Sequence, residues 1–400
     1  MAVVAKPGRG VTFAAGFTAG AAKAGVKNAK ADRLDVALLV AAGPCSAAAV
    51  FTKNQVIAAP LVVTKRHLAA GPLRAVVVNS GNANACTGDQ GERDALAMAA
   101  AAAKAVGAQP HEIAVASTGV IGIPLPVDRV ARGIAAIKPS AGGWDDMSRA
   151  IMTTDTKPKV AEREVWLHGK PVRVGGVAKG AGMIHPDMAT LLAFITTDAQ
   201  LAPAAADRAL RAAVAGTFNS ISVDGDTSTN DMTLLLASGA SGVDPGSDGW
   251  DSFVETLTEV CADLALAIVA DGEGVTKVFE VRVRGAASAD DARRAARTIT
   301  TSSLVKTAIH GADPNWGRIL AAAGRSGARV DGRRASIRIG DVDVFTKGAP
   351  CAWEAKAVRA VFAKPSITID VDLGVGESTA RAWGCDLSEE YVHINADYTT

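Results

Sequence analysis

From residue 34 to residue 41 the chain reads Leu-Asp-Val-Ala-Leu-Leu-Val-Ala, and similar near-continuous apolar runs recur along its length. Runs of this size bounded by turn formers suit strands buried on both faces. Residues 74–79, 113–117, 191–197 and 232–237 carry the same signature, the first of these closed by a Ser-Gly-Asn turn. Between them lie alanine-rich stretches that predict helices at 91–106, 126–137, 203–215 and 250–270. Gly107 is placed to cap the first of these helices. Residues 278–284 alternate strictly, as a strand with one wet face does, and 289–298 reads as helix again. The last hundred residues are strand-rich, with candidates at 335–339, 342–345, 367–373 and 380–383. No solenoid period, low-complexity tract or long linker interrupts the pattern. It predicts a layered α/β or α+β architecture with helices on sheet.

Length and composition narrow the picture. A chain of 400 residues fills two or three core layers, or two domains. Aromatic residues are only 4%, so the core must be built mostly of Ala, Val, Leu and Ile. The 42 basic and 41 acidic residues balance to +1, which leaves no electrostatic footprint for nucleic acid or an anionic membrane. No apolar run reaches the length of a membrane span. Residues 1–22 imitate a signal peptide only faintly, being rich in Gly, Ala and Thr without Leu or Ile. Five scattered cysteines with no Cys-x-x-Cys argue against a disulfide framework or zinc site, and fit a reducing cytoplasm.

The candidate chemistry centres on residues 179–194, Lys-Gly-Ala-Gly-Met-Ile-His-Pro-Asp-Met-Ala-Thr-Leu-Leu-Ala-Phe. Gly180, Gly182 and Pro186 oppose regular structure, whereas the chain from Leu191 onward is strand-like. Thr190 therefore stands where an irregular segment enters an apolar strand, with the small Ala189 before it. Self-cleavage needs such a junction: the hydroxyl attacks the preceding carbonyl, the amide becomes an ester, and water opens it. The new N-terminal amine, with a pKa of roughly 7.7–8.0, is then a base for the hydroxyl beside it. A Thr at a strand start is otherwise ordinary β-branched material. Other familiar sites fail. Residue 185 is His where a dinucleotide loop needs Gly, no phosphate-binding Gly-x-x-x-x-Gly-Lys-[Ser/Thr] occurs, and no His pair has metal spacing. His185 reads as a local structural residue.

Thr118-Gly119 is the second candidate. A strand end turning at Ser117-Thr118-Gly119 offers a hydroxyl and a backbone N–H in one place, as a developing oxyanion requires, although an isolated Ser-Thr-Gly is more simply a turn. Lys179 is a candidate partner for a carboxylate. Glu273, between Gly272 and Gly274 on an expected exposed turn, is a candidate for an ammonium. Each, taken alone, reads as a solvated surface charge. The string 313–318, Asp-Pro-Asn-Trp-Gly-Arg, reads as a structural corner close to the site.

Seven segments in order resemble the ornithine acetyltransferase family, the bifunctional glutamate N-acetyltransferase/amino-acid acetyltransferases of arginine biosynthesis. They lie at 79–88, 117–122, 151–155, 179–190, 224–231, 273–277 and 313–318, and the tail 395–400 adds to them. The resemblance implies a layered α/β sandwich like that of self-processing aminopeptidases, akin to N-terminal-nucleophile hydrolases but differently connected. It implies cleavage between Ala189 and Thr190 into an α chain (1–189) and a β chain (190–400), two of each forming a heterotetramer. Thr190 would be the nucleophile, and Thr118 with Gly119 the oxyanion hole. Thr153, Lys179, Thr190, Glu273, Asn395 and Thr400 would contact substrate, with Thr154 an equal alternative to Thr153. The implied reaction is ping-pong: N-acetylornithine acetylates Thr190, ornithine leaves, and glutamate departs as N-acetylglutamate. No cofactor or metal is expected, and acetyl-CoA is a candidate co-substrate. The competing expectation is a self-processing aminopeptidase or amidohydrolase on the same scaffold, with water as the acceptor.

Overall fold

The structure, a computed structural model, describes residues 8–30, 32–185 and 191–397. In chain order its strands are β1 (Phe17–Ala22), β2 (Val36–Phe51), β3 (Leu73–Asn82), β4 (Ile113–Val120), β5 (Lys159–Leu167), β6 (Lys170–Lys179), β7 (Leu192–Thr197), β8 (Ile221–Ser222), β9 (Met232–Ala237), β10 (Val278–Ala286), β11 (Ser336–Ile339), β12 (Val342–Thr346), β13 (Ala349–Pro350), β14 (Ser366–Asp372) and β15 (Ser378–Cys385). The helices are α1 (Ala59–Ala70), α2 (Gly88–Val106), α3 (Val127–Ala136), α4 (Trp144–Ala150), α5 (Pro203–Ala215), α6 (Trp250–Val269), α7 (Ala289–Thr300), α8 (Ser303–His310), α9 (Gly317–Gly324), α10 (Ala355–Phe362) and α11 (Glu389–Asp397). No helix among the described residues is long and apolar enough to cross a membrane.

The first sheet has the order β4-β3-β2-β9-β7-β6-β5, with β1 paired to β2. Strand β2 is its spine. Residues 36–41 pair with β1 on one edge and with β3 on the other, whereas residues 46–51 pair with β9. The long strand thus passes from one half of the sheet to the other, and the halves pack face to face. Side-chain alternation shows the layering. Val36 and Leu38 join Val63, Met98 and Ile134 of α1, α2 and α3, whereas Ala37, Leu39 and Ala41 turn to the opposite face. That opposite face meets Leu192, Phe194, Met232, Leu234 and Leu236 of β7 and β9. Ala193, Ile195 and Leu235 point away again, onto Phe253, Leu257 and Leu210 of α6 and α5. Four layers result, helix on sheet on sheet on helix. The strands are apolar throughout because both of their faces are buried.

A second sheet, β13-β12-β11-β14-β10-β15-β8, carries its own core with α7, α9 and α10. Short β8 pairs in parallel with β15 and ties this unit to the first. Trp316 stacks on Phe345 at 5.0 Å against that second core, which gives this residue of the 313–318 string a packing role.

Residues 17–22 are strand β1, in keeping with the poor match of residues 1–22 to a signal peptide. Two local expectations differ. Ser80-Gly81-Asn82 does not end its strand but stays paired with β4 through a bulge. Residues 159–179 form an unforeseen hairpin, turned by His168 and Gly169, whose φ of 50° and 75° match the two-residue turn that right-twisted strands accept. The layered α/β sandwich itself is as expected. Position 190 is no compact-domain boundary: β7 lies between β6 and β9 in one continuous sheet.

Candidate functional site

The site lies where β6 ends and β7 begins. These strands are antiparallel neighbours, and Lys179 stands opposite Leu192. Ala189 and Thr190 lie outside the described residues, as does Thr400, but the chain on both sides of the 186–190 segment is anchored. Upstream, Gly180 donates its N–H to Asp155 Oδ1 at 2.6 Å. Gly182 packs so closely on Glu273 that a Cβ there would stand 2.5 Å from the carboxylate. Met183 and Ile184 donate their N–H groups to Asp224 at 2.6 and 2.9 Å. His185 Nε2 takes a hydrogen bond from Arg297 at 2.8 Å. A guanidinium can only donate, so the His185 proton sits on Nδ1, 3.2 Å from Ser222 Oγ. His185 is thus held in structure, as the sequence suggested. Downstream, the Leu191 carbonyl accepts Met232 N–H at 2.8 Å, and the Leu191 N–H donates to the Asp231 carboxyl.

Lys179 is buried rather than solvated. Burial lowers its pKa, working against the charges of Asp155, Asp231 and Glu273 that favour the ammonium; Lys159 adds to the lowering. A second lysine stands behind it. Lys159 Nζ bridges Asp155 and Asp271 at 2.6 Å each, with all three side chains nearly inaccessible. Burial alone would raise Asp155, but Lys179, Lys159 and the Thr153 N–H bring it down to about 2. Asp271 also takes the Thr156 hydroxyl and N–H. Asp231 behaves oppositely. It is fully buried, its acidity is suppressed well above the ordinary carboxylate range by desolvation, and its Oδ2 has no hydrogen-bond partner.

Glu273 is half-buried, not on an open turn. Its N–H donates to the Ala181 carbonyl at 3.0 Å, and its Oε2 accepts Asn395 Nδ2 at 2.9 Å. Helix α11 brings Asn395 there, and its start is held by His310, whose ring nitrogens lie 2.7 Å from Asp386 and 3.2 Å from Glu389. Tyr391 on the same helix is pushed to a higher pKa by burial and by the carboxylates of Asp224 and Glu273.

Thr118 and Gly119 lie just before the last residue of β4, Val120. Gly119 has φ 132°, and a Cβ there would meet the Gly81 carbonyl carbon at 2.3 Å, so only glycine fits this close approach. The neighbouring Ser117 hydroxyl donates to Asn79 at 2.6 Å. Asn230 Nδ2 reaches the carbonyls of Ser117 and Ala83 at 2.9 and 2.6 Å. Because Asp231 grips Leu191, residues 230 and 231 join the Thr118–Gly119 end to the β7 entry.

The structure therefore gathers Lys179, Glu273 and Asn395, with Thr153 reaching them through Asp155. It joins Thr118 and Gly119 to them by way of Asn230. Sequence reasoning missed Asp155, Lys159, Asp231 and Asp271 as site residues. The only signal for them was that Asp155 ends the 151–155 segment and Asp231 the polar run 224–231.

The chain matches a model of the ArgJ family over residues 18–400. It is similar to the arginine biosynthesis bifunctional protein ArgJ of Symbiobacterium thermophilum, with 51% identity over 98% of both chains. The protein of the same name from Dehalococcoides mccartyi is 46% identical, again over 98% of each. Among solved structures, Bacillus halodurans ArgJ aligns at 44% identity with a TM-score of 0.50, covering 51% of this chain and 98% of that one. An ornithine acetyltransferase from Mycobacterium tuberculosis, solved with ornithine, aligns at 43% identity and a TM-score of 0.39, over 44% of this chain and 95% of that one.

Proposed function

The chain belongs to the ArgJ family and is an acyltransferase of arginine biosynthesis, and from that premise we propose that it carries acetyl from N-acetylornithine to glutamate on Thr190. Thr190 Oγ first attacks the Ala189 carbonyl, and water opens the resulting ester to free a Thr190 amine. That amine takes the proton of its own hydroxyl as Oγ attacks the acetyl carbonyl. The Thr118 hydroxyl and the Gly119 N–H meet the oxyanion. Collapse expels ornithine, whose nitrogen takes up the proton, and the amine of glutamate then attacks the acetyl ester to leave as N-acetylglutamate.

The observation that carries this reading is the pairing of an ammonium and a carboxylate: Lys179, buried at the end of β6, is faced by the half-buried Glu273. A substrate with a free carboxylate and a free ammonium is held by one charge of each sign. Thr153, Asn395 and Thr400 complete the substrate contacts. The acetyl group travels on Thr190, so no cofactor is required. We place the working form in the cytoplasm as a heterotetramer of two α and two β chains.

The test is to incubate purified protein with N-acetylornithine and glutamate, and separately with acetyl-CoA and glutamate. N-acetylglutamate should form in the first mixture, with an acetyl group trapped on the peptide that begins at Thr190. Release of free acetate without N-acetylglutamate would make the protein a hydrolase. An active wild type that stays one intact chain would remove Thr190 as an N-terminal nucleophile.

A further inference from the structure

Asp231 stands outside every step above, yet its environment is unusual. It is 3% exposed, and its Oδ2 lacks any partner. An unsatisfied buried polar atom costs about 1–3 kcal/mol, so packing alone would favour an apolar residue. Its carboxyl takes hydrogen bonds from the Ser228 hydroxyl and N–H, in the same polar run. It also takes the Leu191 N–H, and Met232 N–H, one residue on, takes the Leu191 carbonyl. Leu191 is therefore clamped at both ends of its backbone by two consecutive residues. The Asp231 carbonyl accepts Thr52 N–H at 3.0 Å, which fixes the clamp to the end of β2. Asn230 extends in the other direction to the Ser117 carbonyl, one residue before Thr118. Of the charged groups, Lys179 faces Asp231 from β6, and is itself surrounded by Asp155, Lys159 and Glu273.

We propose that Asp231 is a positioning residue: by holding Leu191 while Asn230 holds the oxyanion strand, it fixes the entry of β7 relative to Thr118 and Gly119. The inference rests on the reading of Thr190 as nucleophile. A carboxyl oxygen of Asp231 accepts the Leu191 N–H, and an asparagine side chain supplies the same kind of acceptor. The role is geometric, and misplacement of about 1 Å at a reacting atom costs on the order of 100-fold in rate.

The experiment compares wild type, Asp231→Ala, Asp231→Asn and Asn230→Ala in single-turnover acetylation by N-acetylornithine, normalised by intact mass to the 190–400 chain present. Asp231→Ala should acetylate its Thr190 peptide about 10- to 100-fold more slowly, with KM within about twofold and the thermal midpoint little changed. Asp231→Asn should recover most of the rate and keep the wild-type pH profile. Asn230→Ala, which cuts the other end of the bridge, should lose kcat in the same way and covers the case in which Asp231→Ala does not fold. Wild-type rates in Asp231→Ala or Asn230→Ala overturn the proposal. So does an Asp231→Asn enzyme as slow as the alanine variant, because the proton and not the grip would then matter. If wild type itself carries no acetyl on the Thr190 peptide, the nucleophile reading falls instead, a result distinct from acetylated wild type with an unaffected alanine variant.

Discussion

Replacing Lys159 with methionine removes the cation from between two buried carboxylates and keeps its volume. Lys159 Nζ lies 2.6 Å from both Asp155 and Asp271, and the three side chains are 2, 0 and 4% exposed. Deleting one partner of such a group leaves uncompensated charge in the interior and costs about 3–5 kcal/mol. The acidity of Asp155 gives an independent scale. Its carboxyl sits at about 2 in the folded chain, against roughly 3.9 unfolded, and a depression of that size corresponds to about 3 kcal/mol of stability at neutral pH. Lys179 supplies part of that depression, so the loss in Lys159→Met should fall toward the lower end of the range. The sign with pH follows from the same values. A carboxyl depressed on folding stabilises above its unfolded pKa, and the contribution fades as pH falls from about 4 through about 2. Urea midpoints for wild type and variant should therefore differ most at pH 7 and converge on acidification. Arg211→Met, which breaks an exposed pair with Asp207 on α5, should cost under about 0.5 kcal/mol at any pH. Equal midpoints for Lys159→Met and wild type at pH 7, or a gap that widens in acid, would refute the buried-network argument.

Four further outcomes are expected. Gly119→Ala should lower kcat by at least about 100-fold, because its Cβ would collide with Gly81 at 2.3 Å, whereas Gly122→Ala, with open space around it, should cost about 1–2 kcal/mol of backbone strain and retain activity; steady-state assays and thermal midpoints separate the two. Glu273→Gln should raise KM for N-acetylornithine with little change in the melting midpoint, since an amide cannot balance an ammonium; an unchanged KM would remove Glu273 from the substrate contacts. Lys179 holds a carboxylate only while protonated, and burial has lowered its pKa, so KM should begin to rise at a lower alkaline pH than a surface lysine would give. That limb should vanish in Lys179→Met, and a limb that persists would belong to another group. Finally, fragments 1–189 and 190–400 should co-purify and unfold together in denaturant, because β7 sits between β6 and β9; separation under native conditions would contradict the shared sheet.

The central strands of the first sheet were legible because burial on both faces made them continuous apolar runs, and alternation could not mislead. The elements missed are those whose local sequence argues against the structure they adopt. Helix α1 contains Val62-Val63-Thr64, a β-branched run, but Pro60 in its first turn and burial of Leu61 and Val63 decide for helix. Strand β6 contains Gly175-Gly176, which reads as a breaker. In the fold Gly175 lets the N-terminal turn approach so closely that a Cβ would stand 2.0 Å from the Gly10 carbonyl oxygen. Such contacts join residues 165 positions apart, and no local pattern reports them.

The same reasoning explains which half of the site could be read. Thr118-Gly119, Lys179 and Glu273 sit in short glycine-punctuated motifs whose chemistry is local, and a resemblance to a family could be carried over residue by residue. Lys159 and Asp271 lie 112 positions apart and meet only after β5 has paired with β6 and α6 has packed on them. In sequence each is one more charged residue among 83, and the prior for any one of them is a solvated surface. Burial reverses that prior. Within one buried cluster Asp155 becomes more acidic, Asp231 less acidic and Lys179 easier to deprotonate, three different outcomes. The difference lies in the neighbours. Asp155 gains lysines and backbone donors that outweigh desolvation, whereas at Asp231 the Ser228 and Leu191 donors and the Lys179 charge do not, and one carboxyl oxygen keeps no partner. Two carboxyls that both face Lys179 thus move in opposite directions, and what separates them is the second lysine that Asp155 has and Asp231 lacks.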